Sequence, residues 1–189
     1  MSSKLWDYLL ELDPDVALLQ DFGAIPDHVL HVYTHARNTK PIVADRTPQF
    51  MTGILVKGVS DDIALPAPTE WVARELENFE EFLTAKAVTL HDRVRLRTLS
   101  VDSPAFPVDR ARLEGIDTTG IQLTQNRDVW GTELMWATLK SMGIGPEEPL
   151  IVGGDLNSSE TFDYLWRGGP RGNREIMDRM NALECSRFL

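Results

Sequence analysis

The sequence lacks the features of a secreted or membrane-anchored protein. One cysteine, Cys185, occurs among 189 residues, which excludes a disulfide framework and is typical of a reducing compartment. No apolar run approaches the length of a membrane span. The N-terminal stretch carries Asp7, Glu11, Asp13 and Asp15 where a signal peptide would have a basic region before an apolar core. We therefore predict a cytoplasmic protein with no membrane partner.

Basic residues are also scarce. Acidic residues outnumber them by 29 to 19, which gives a formal net charge of -10. This balance argues against a broad electrostatic grip on nucleic acid. The last stretch of the chain is more basic and could face phosphate, although a solvated helix face is the simpler interpretation. Its arginines are Arg167, Arg171, Arg174, Arg179 and Arg187.

What the sequence does contain is enough for one globular domain. The length and the 42% of hydrophobic residues predict a single domain over residues 1–189. Helical and strand patterns alternate along it, which predicts an α/β fold. The predicted helices begin near Trp6, after Thr69, at 129 and near Ile176, and the predicted strands are 16–20, 50–57, 85–90, 94–101 and 150–152.

Three features of the intervening segments carry further expectations. Gly58 and Asp61-Asp62 predict a turn out of the strand 50–57. The helix after Thr69 is expected to have a solvated acidic face. Residues 107–126 form a long irregular connection, which in a compact domain is usually functional or mobile. The acidic face consists of Glu75, Glu77, Glu80 and Glu81.

The stretch 149–157 reads PLIVGGDLN and is the most informative part of the chain. Leu150–Val152 predicts a strand buried on both faces, and the two glycines that follow allow a sharp bend. Asp155 and Asn157 then project from the carboxyl end of the strand, where α/β sheets gather their ligands. Together they could orient water or a hard cation and hold a phosphoryl oxygen. The alternative is a turn or helix cap after a core strand.

Two more predicted strands end in a carboxylate, Asp21 after 16–20 and Asp102 after 94–101. A separate metal-binding face is conceivable at His28, His31 and His35, which are spaced as on one side of a helix. The neighbouring valines and Tyr33 favour a strand over a helix there, so this metal site is the less favoured interpretation.

Short motifs at these strand ends resemble those of a known family. Residues 12–21 read LDPDVALLQD, residues 100–104 read SVDSP and residues 154–157 read GDLN. They are similar to "L-x-P-D-V-x-x-L-Q-E", "x-H-S-x-P" and "G-D-x-N" of the endonuclease/exonuclease/phosphatase family, which includes the relatives of deoxyribonuclease I. Their order and spacing agree, and the resemblance covers nearly the whole chain.

The resemblance implies a four-layer α/β/β/α sandwich and a divalent-metal-dependent phosphoesterase, with a nuclease among the candidates. It implies Mg²⁺ or Mn²⁺ as cofactor, with Asp21 as a ligand. Asp155 would orient and help deprotonate the attacking water, Asn157 would hold a phosphoryl oxygen, and Asp102 would stand at the position of a catalytic helper. The implied partner is a phosphoester; the charge balance favours a small one or a short nucleic-acid end.

The sequence also departs from the family pattern. The family usually has Glu at the position of Asp21, and His or Tyr at that of Asp102. Its opening strand, with an Asn of the metal site, and its closing strands, with a catalytic Asp-His pair, are expected outside residues 1–189. The alternative function is therefore a catalytically defective relative or fragment that keeps a binding or structural role.

Overall fold

The computed structural model describes residues 3–37, 52–79, 82–91, 93–104, 106–143, 148–161, 163 and 172–183. The chain divides into two compact units. The first, here the strand unit, consists of Met1–Ala64, Glu80–Asp102 and Pro146–Asp155. The second, here the helix unit, consists of Leu65–Phe79, Ser103–Gly145 and Leu156–Leu189. The single domain over residues 1–189 stays a prediction.

The strand unit contains two sheets. The first has the order β1-β3-β2 and is antiparallel; its strands are β1 (Val16–Leu19), β2 (Thr34–Arg37) and β3 (Gly53–Val56). The second has the order β4-β5-β6-β7, with the last pair parallel and the others antiparallel. Its strands are β4 (Gly58–Asp62), β5 (Leu83–Leu90), β6 (Arg95–Asp102) and β7 (Leu150–Asp155).

Alternation of side chains along β3 creates the core of this unit. Ile54 and Val56 pack against Val88 and Leu96, so the two sheets lie face to face. Leu55 points the other way. It packs on that side with apolar residues of helix α1 (Ser3–Leu12), of the short helix α2 (Asp27–Leu30) and of the segments beside them. These residues are Trp6, Leu9, Phe22, Val29 and Tyr33.

Two expectations for the strand unit are wrong, and the less favoured interpretation of its histidines does not hold. Gly58 does not begin a turn but a strand, because its missing side chain lets the backbone approach Thr89, whose carbonyl oxygen lies 2.3 Å from where a Cβ would stand. The strand at 150–152 is not buried on both faces. It is an edge strand whose one neighbour among the described strands is β6, and Ile151 is 45% exposed. The histidines do not share a helix face, since α2 ends at Leu30 and β2 begins at Thr34.

The helix unit holds the remaining helices, which are α3 (Glu70–Asn78), α4 (Gly131–Met142) and α5 (Asn173–Asn181), with a 3₁₀ turn at Arg110–Leu113. Thr69 caps α3 as predicted, since its hydroxyl accepts the amide N–H of Val72 at 3.4 Å. The longest of the described helices, α4, has 12 residues, and none of the described helices is long and apolar enough to cross a membrane.

The acidic face predicted on α3 is only partly solvated. Glu77 is exposed, but Glu75 is fully buried and pairs with Arg74 and Arg112, each at 3.3 Å. The sequence could not distinguish Glu75 from Glu77, because Glu75 is buried against Arg112, which lies 37 residues further along the chain. Glu80 and Glu81 lie outside the described residues.

The long connection 107–126 is fastened by carboxylates rather than loose. The buried Glu133 accepts the backbone N–H groups of Leu123 and Trp130, and Glu175 accepts that of Thr124. Burial raises the pKa of Glu133 to about 7, although both N–H bonds lower it. An acidic side chain three residues after the N-cap residue, here Trp130, commonly reaches back in this way.

The basic C-terminal stretch divides in a similar manner. Arg174 is exposed, whereas Arg179 donates to the carbonyl of Ile121 at 2.8 Å and stacks 4.8 Å from the ring of Trp136. Arg179 therefore stabilises the helix unit. Arg167, Arg171 and Arg187 lie outside the described residues, as do Cys185, the start of the strand predicted at 50 and the hairpin turn at 92.

We expect Glu133→Ala to lower the free energy of unfolding by about 2–4 kcal/mol, because two buried N–H groups would lose their acceptor. Urea denaturation followed by circular dichroism measures this change. Glu77→Ala, which removes an exposed carboxylate in the same unit, serves as the control and should change stability by less than about 0.5 kcal/mol. Equal losses in the two variants would contradict the anchoring role of Glu133.

Candidate active site

Two of the predicted site residues stand side by side at the end of the second sheet. β6 and β7 run parallel, in a register that pairs Ser100 with Gly153 and Asp102 with Asp155. Neighbouring strands lie about 4.8 Å apart. The carboxylates of Asp102 and Asp155 therefore leave adjacent strand ends on the same face of the sheet.

The end of β1 is tied to the same place by side-chain hydrogen bonds. The hydroxyl of Ser100 donates to the carbonyl of Leu19 at 2.9 Å. The amide of Gln20 donates to that hydroxyl at 2.9 Å and, more weakly, to the carbonyl of Gly153 at 3.5 Å. Asp21 follows Gln20 directly, so it lies at the end of β1 that faces β6 and β7.

The electrostatics agree with this arrangement. Burial, and then the charges of Asp21 and Asp155, together raise the pKa of Asp102 to about 6. Burial, and then the charge of Asp155, also raise the pKa of Asp21 above its ordinary value. The three predicted aspartates therefore form one group of mutually repelling carboxylates, here the strand-end carboxylates.

Both glycines before Asp155 are required by their surroundings. A Cβ on Gly153 would stand 2.9 Å from the Cδ1 of Leu18, so the glycine allows the two sheets to approach. Gly154 has a φ of 144°, and a Cβ there would stand 1.8 Å from the carbonyl oxygen of Val101. Glycine therefore allows close approach of two backbones at position 154, whereas at position 153 it makes room for a side chain.

Two of the predicted site residues adopt a left-handed backbone. The φ angle is 51° at Asp21 and 47° at Asn157. Asp and Asn accept this conformation more readily than other residues with side chains, because their short polar groups bond locally. This gives a physical reason for Asp rather than Glu at position 21. Strained backbone of this kind is concentrated at functional sites.

Asn157 belongs to the helix unit, where its amide nitrogen donates to the carbonyl of Ser103 at 2.6 Å. That bond orients the side chain, which is exposed. Asn157 also lines a small pocket of the helix unit whose walls carry no charged side chain. The other lining residues are Pro104, Leu123, Asn126, Trp130, Thr132, Leu156, Ser158, Asn173 and Ile176.

The strand-end carboxylates fit a divalent cation that keeps much of its water. In the part of the chain that the structure describes, no three Asp, Glu, His or Cys side chains stand close enough to enclose a metal. Mg²⁺ does not need such an enclosure, since it is usually held by one or two carboxylates together with water and substrate oxygens. A cation would also relieve the mutual repulsion that raises the pKa values of Asp21 and Asp102.

The fold has a counterpart among solved structures. An AP endonuclease from Archaeoglobus fulgidus is similar, with a TM-score of 0.55 and 13% sequence identity over 94% of this chain and 63% of that one. This chain therefore spans about 63% of the length of that enzyme. At this identity the likeness shows the fold alone, a mixed α/β fold of the deoxyribonuclease I type, and it confirms the predicted fold class.

The two other comparisons gave no match. No protein-family model matches the sequence, and no curated protein is similar enough to count as a match. The resemblance to the endonuclease/exonuclease/phosphatase family is therefore supported at the level of the fold.

We expect Gly154→Ala to be much more harmful than Gly153→Ala. The Cβ at 154 would meet backbone atoms in a left-handed conformation, whereas that at 153 would meet the movable end of Leu18. Thermal unfolding should show the lower midpoint for Gly154→Ala, or no cooperative transition at all. A midpoint equal to or above that of Gly153→Ala would mean that the end of β7 is built differently.

Proposed function

We propose that the chain is a divalent-metal-dependent phosphoesterase, in which an activated water cleaves a phosphodiester or phosphomonoester. One observation carries the proposal. Three strand ends converge so that Asp102 and Asp155 are paired in register and Asp21 is joined to them through Gln20 and Ser100. Structural cores rarely gather like charges in this way, because each raises the energy of the others. The deoxyribonuclease I type of fold gives independent support.

We assign the metal to the strand-end carboxylates, with Asp21 as a direct ligand. When bound, Mg²⁺ or Mn²⁺ would polarise the phosphoryl group and neutralise charge that develops on its oxygens. Asp155 is exposed, so water and substrate can reach its carboxylate. Asp155 accepts a hydrogen bond from the attacking water and takes its proton as the water oxygen bonds to phosphorus and the P–O bond to the leaving group breaks, the leaving oxygen keeping that electron pair.

Asn157 and Asp102 have supporting roles in this mechanism. The role that we assign to the Asn157 amide is to donate to a phosphoryl oxygen as negative charge builds on it. Asp102 has a pKa near 6, so it holds a proton more readily than an ordinary aspartate. Below about pH 6 it can donate a hydrogen bond beside Asp155, a role that suits the position where the family usually has His or Tyr.

The substrate we propose is a small phosphoester or a short nucleic-acid end. The net charge of -10 disfavours long duplex DNA. The similar solved structure, however, is that of an AP endonuclease. Assays of a duplex oligonucleotide with one abasic site and of small phosphoesters, carried out side by side, distinguish a nucleic-acid substrate from a small one.

We expect metal-dependent hydrolysis of bis-p-nitrophenyl phosphate or p-nitrophenyl phosphate, present with Mg²⁺ or Mn²⁺ and absent with EDTA. Asp155→Asn should lower the rate at least 100-fold, because it removes the proton acceptor. Release of p-nitrophenolate measures the rate.

Asp61→Asn is the matched control, because Asp61 is an exposed aspartate of β4, at the opposite edge of the same sheet. Its rate should equal that of the wild type. A folded wild-type protein that hydrolyses none of these esters with any metal would contradict the proposal. It would favour the alternative of a defective relative that keeps a binding role.

A further inference from the structure

The proposed mechanism uses the strand-end carboxylates but leaves open what holds them together. β1 belongs to the first sheet, and β6 and β7 belong to the second. Strands in separate sheets share no ladder of backbone hydrogen bonds, so side-chain contacts are needed to fix the end of β1 against the ends of β6 and β7. Most of the contacts between these sheets are apolar and carry little directional information.

Gln20 and Ser100 provide a directional contact between the end of β1 and the ends of β6 and β7. Ser100 is fully buried, and its hydroxyl donates across the sheets to the carbonyl of Leu19 while it accepts from the amide of Gln20. The same amide reaches the carbonyl of Gly153 at 3.5 Å. The ends of three strands thus meet at one pair of polar side chains. Other hydrogen bonds also cross between the sheets, from the hydroxyl of Thr84 to the carbonyl of Thr52 and from that of Thr34 to the carbonyl of Gly58, but none of them joins β1, β6 and β7.

The positions of these contacts in the sequence matter as much as the contacts themselves. Gln20 is the residue before Asp21. Ser100 lies two residues before Asp102, and Gly153 two residues before Asp155, so each lies on the same strand face as its aspartate. A bond that fixes Gln20, Ser100 and Gly153 relative to one another fixes the three carboxylates as well.

We propose that Gln20 and Ser100 form a strand-end clamp, which positions Asp21 against Asp102 and Asp155 so that a divalent cation held by Asp21 can reach the other carboxylates directly or through its bound water. The clamp rests on the proposed function, and Gln20 and Ser100 act as positioning residues that touch neither substrate nor metal. Without the clamp, repulsion among the carboxylates would push the end of β1 away from β6 and β7. Metal sites generally depend on such supporting bonds, whose loss typically weakens metal binding 10- to 100-fold.

The test is titration of the folded protein with Mn²⁺. Isothermal titration calorimetry and the Mn²⁺ electron paramagnetic resonance signal both measure the dissociation constant. Gln20→Ala should weaken Mn²⁺ binding at least tenfold, and Ser100→Ala at least as much. The double variant should bind no more weakly than Ser100→Ala alone, because both changes break the same contact. Gln20→Asn, whose amide is one methylene too short, should also weaken binding, and it replaces the alanine variant should that fail to fold.

Thr98→Val is the matched control. Thr98 is also fully buried on β6, but its hydroxyl donates to the carbonyl of Lys86 within the second sheet, at 3.1 Å, and reaches no strand end. The Thr98→Val variant should lose about as much stability to urea as Gln20→Ala does. Its dissociation constant for Mn²⁺ should nevertheless stay within twofold of the wild-type value.

The possible results separate the clamp from the proposed function. Wild-type binding in Gln20→Ala and Gln20→Asn, or an equal loss in Thr98→Val, would overturn the clamp while the phosphoesterase proposal stands. A wild-type protein that neither binds Mn²⁺ nor hydrolyses phosphoesters would overturn the proposed function, and the clamp's role with it.

Discussion

The parallel pairing of β6 with β7 is the constraint on which the candidate site depends. It sets Asp102 beside Asp155, and it requires glycine at position 154, where the backbone of Val101 leaves no room for a side chain. Burial, together with the repulsion that follows, raises the pKa of Asp102. The fold tolerates this cost because the site lies at strand ends, where water or a cation can reach the exposed Asp155.

The helix unit uses its acidic residues differently. Three of its carboxylates accept backbone N–H groups, those of Glu133, Glu175 and Asp163. The carboxylate of Asp163 accepts three such groups at the start of α5, from Gly172, Asn173 and Arg174. A carboxylate at the N-terminus of a helix is stabilised by the orphan N–H groups and by the helix dipole. Part of the net negative charge therefore has a structural use.

Local patterns predicted much of the fold. The helix cap at Thr69, the β5–β6 hairpin and the aspartates after β1, β6 and β7 could be read from residue order, because they depend on near neighbours in the sequence. The exposure of Ile151 and the burial of Glu75 could not, because each depends on what packs there from a distant segment. Gln20 and Ser100 were missed for the same reason: they lie 80 residues apart, and neither residue type signals a contact between sheets.

Binding of a divalent cation by the strand-end carboxylates can be tested by the anomalous diffraction of Mn²⁺ in crystals grown with the metal. We expect a strong anomalous peak within coordination distance of a carboxylate oxygen of Asp21, with Asp102 and Asp155 bound directly or through water. An ordered site region without a peak, or a peak only at other carboxylates, would contradict it.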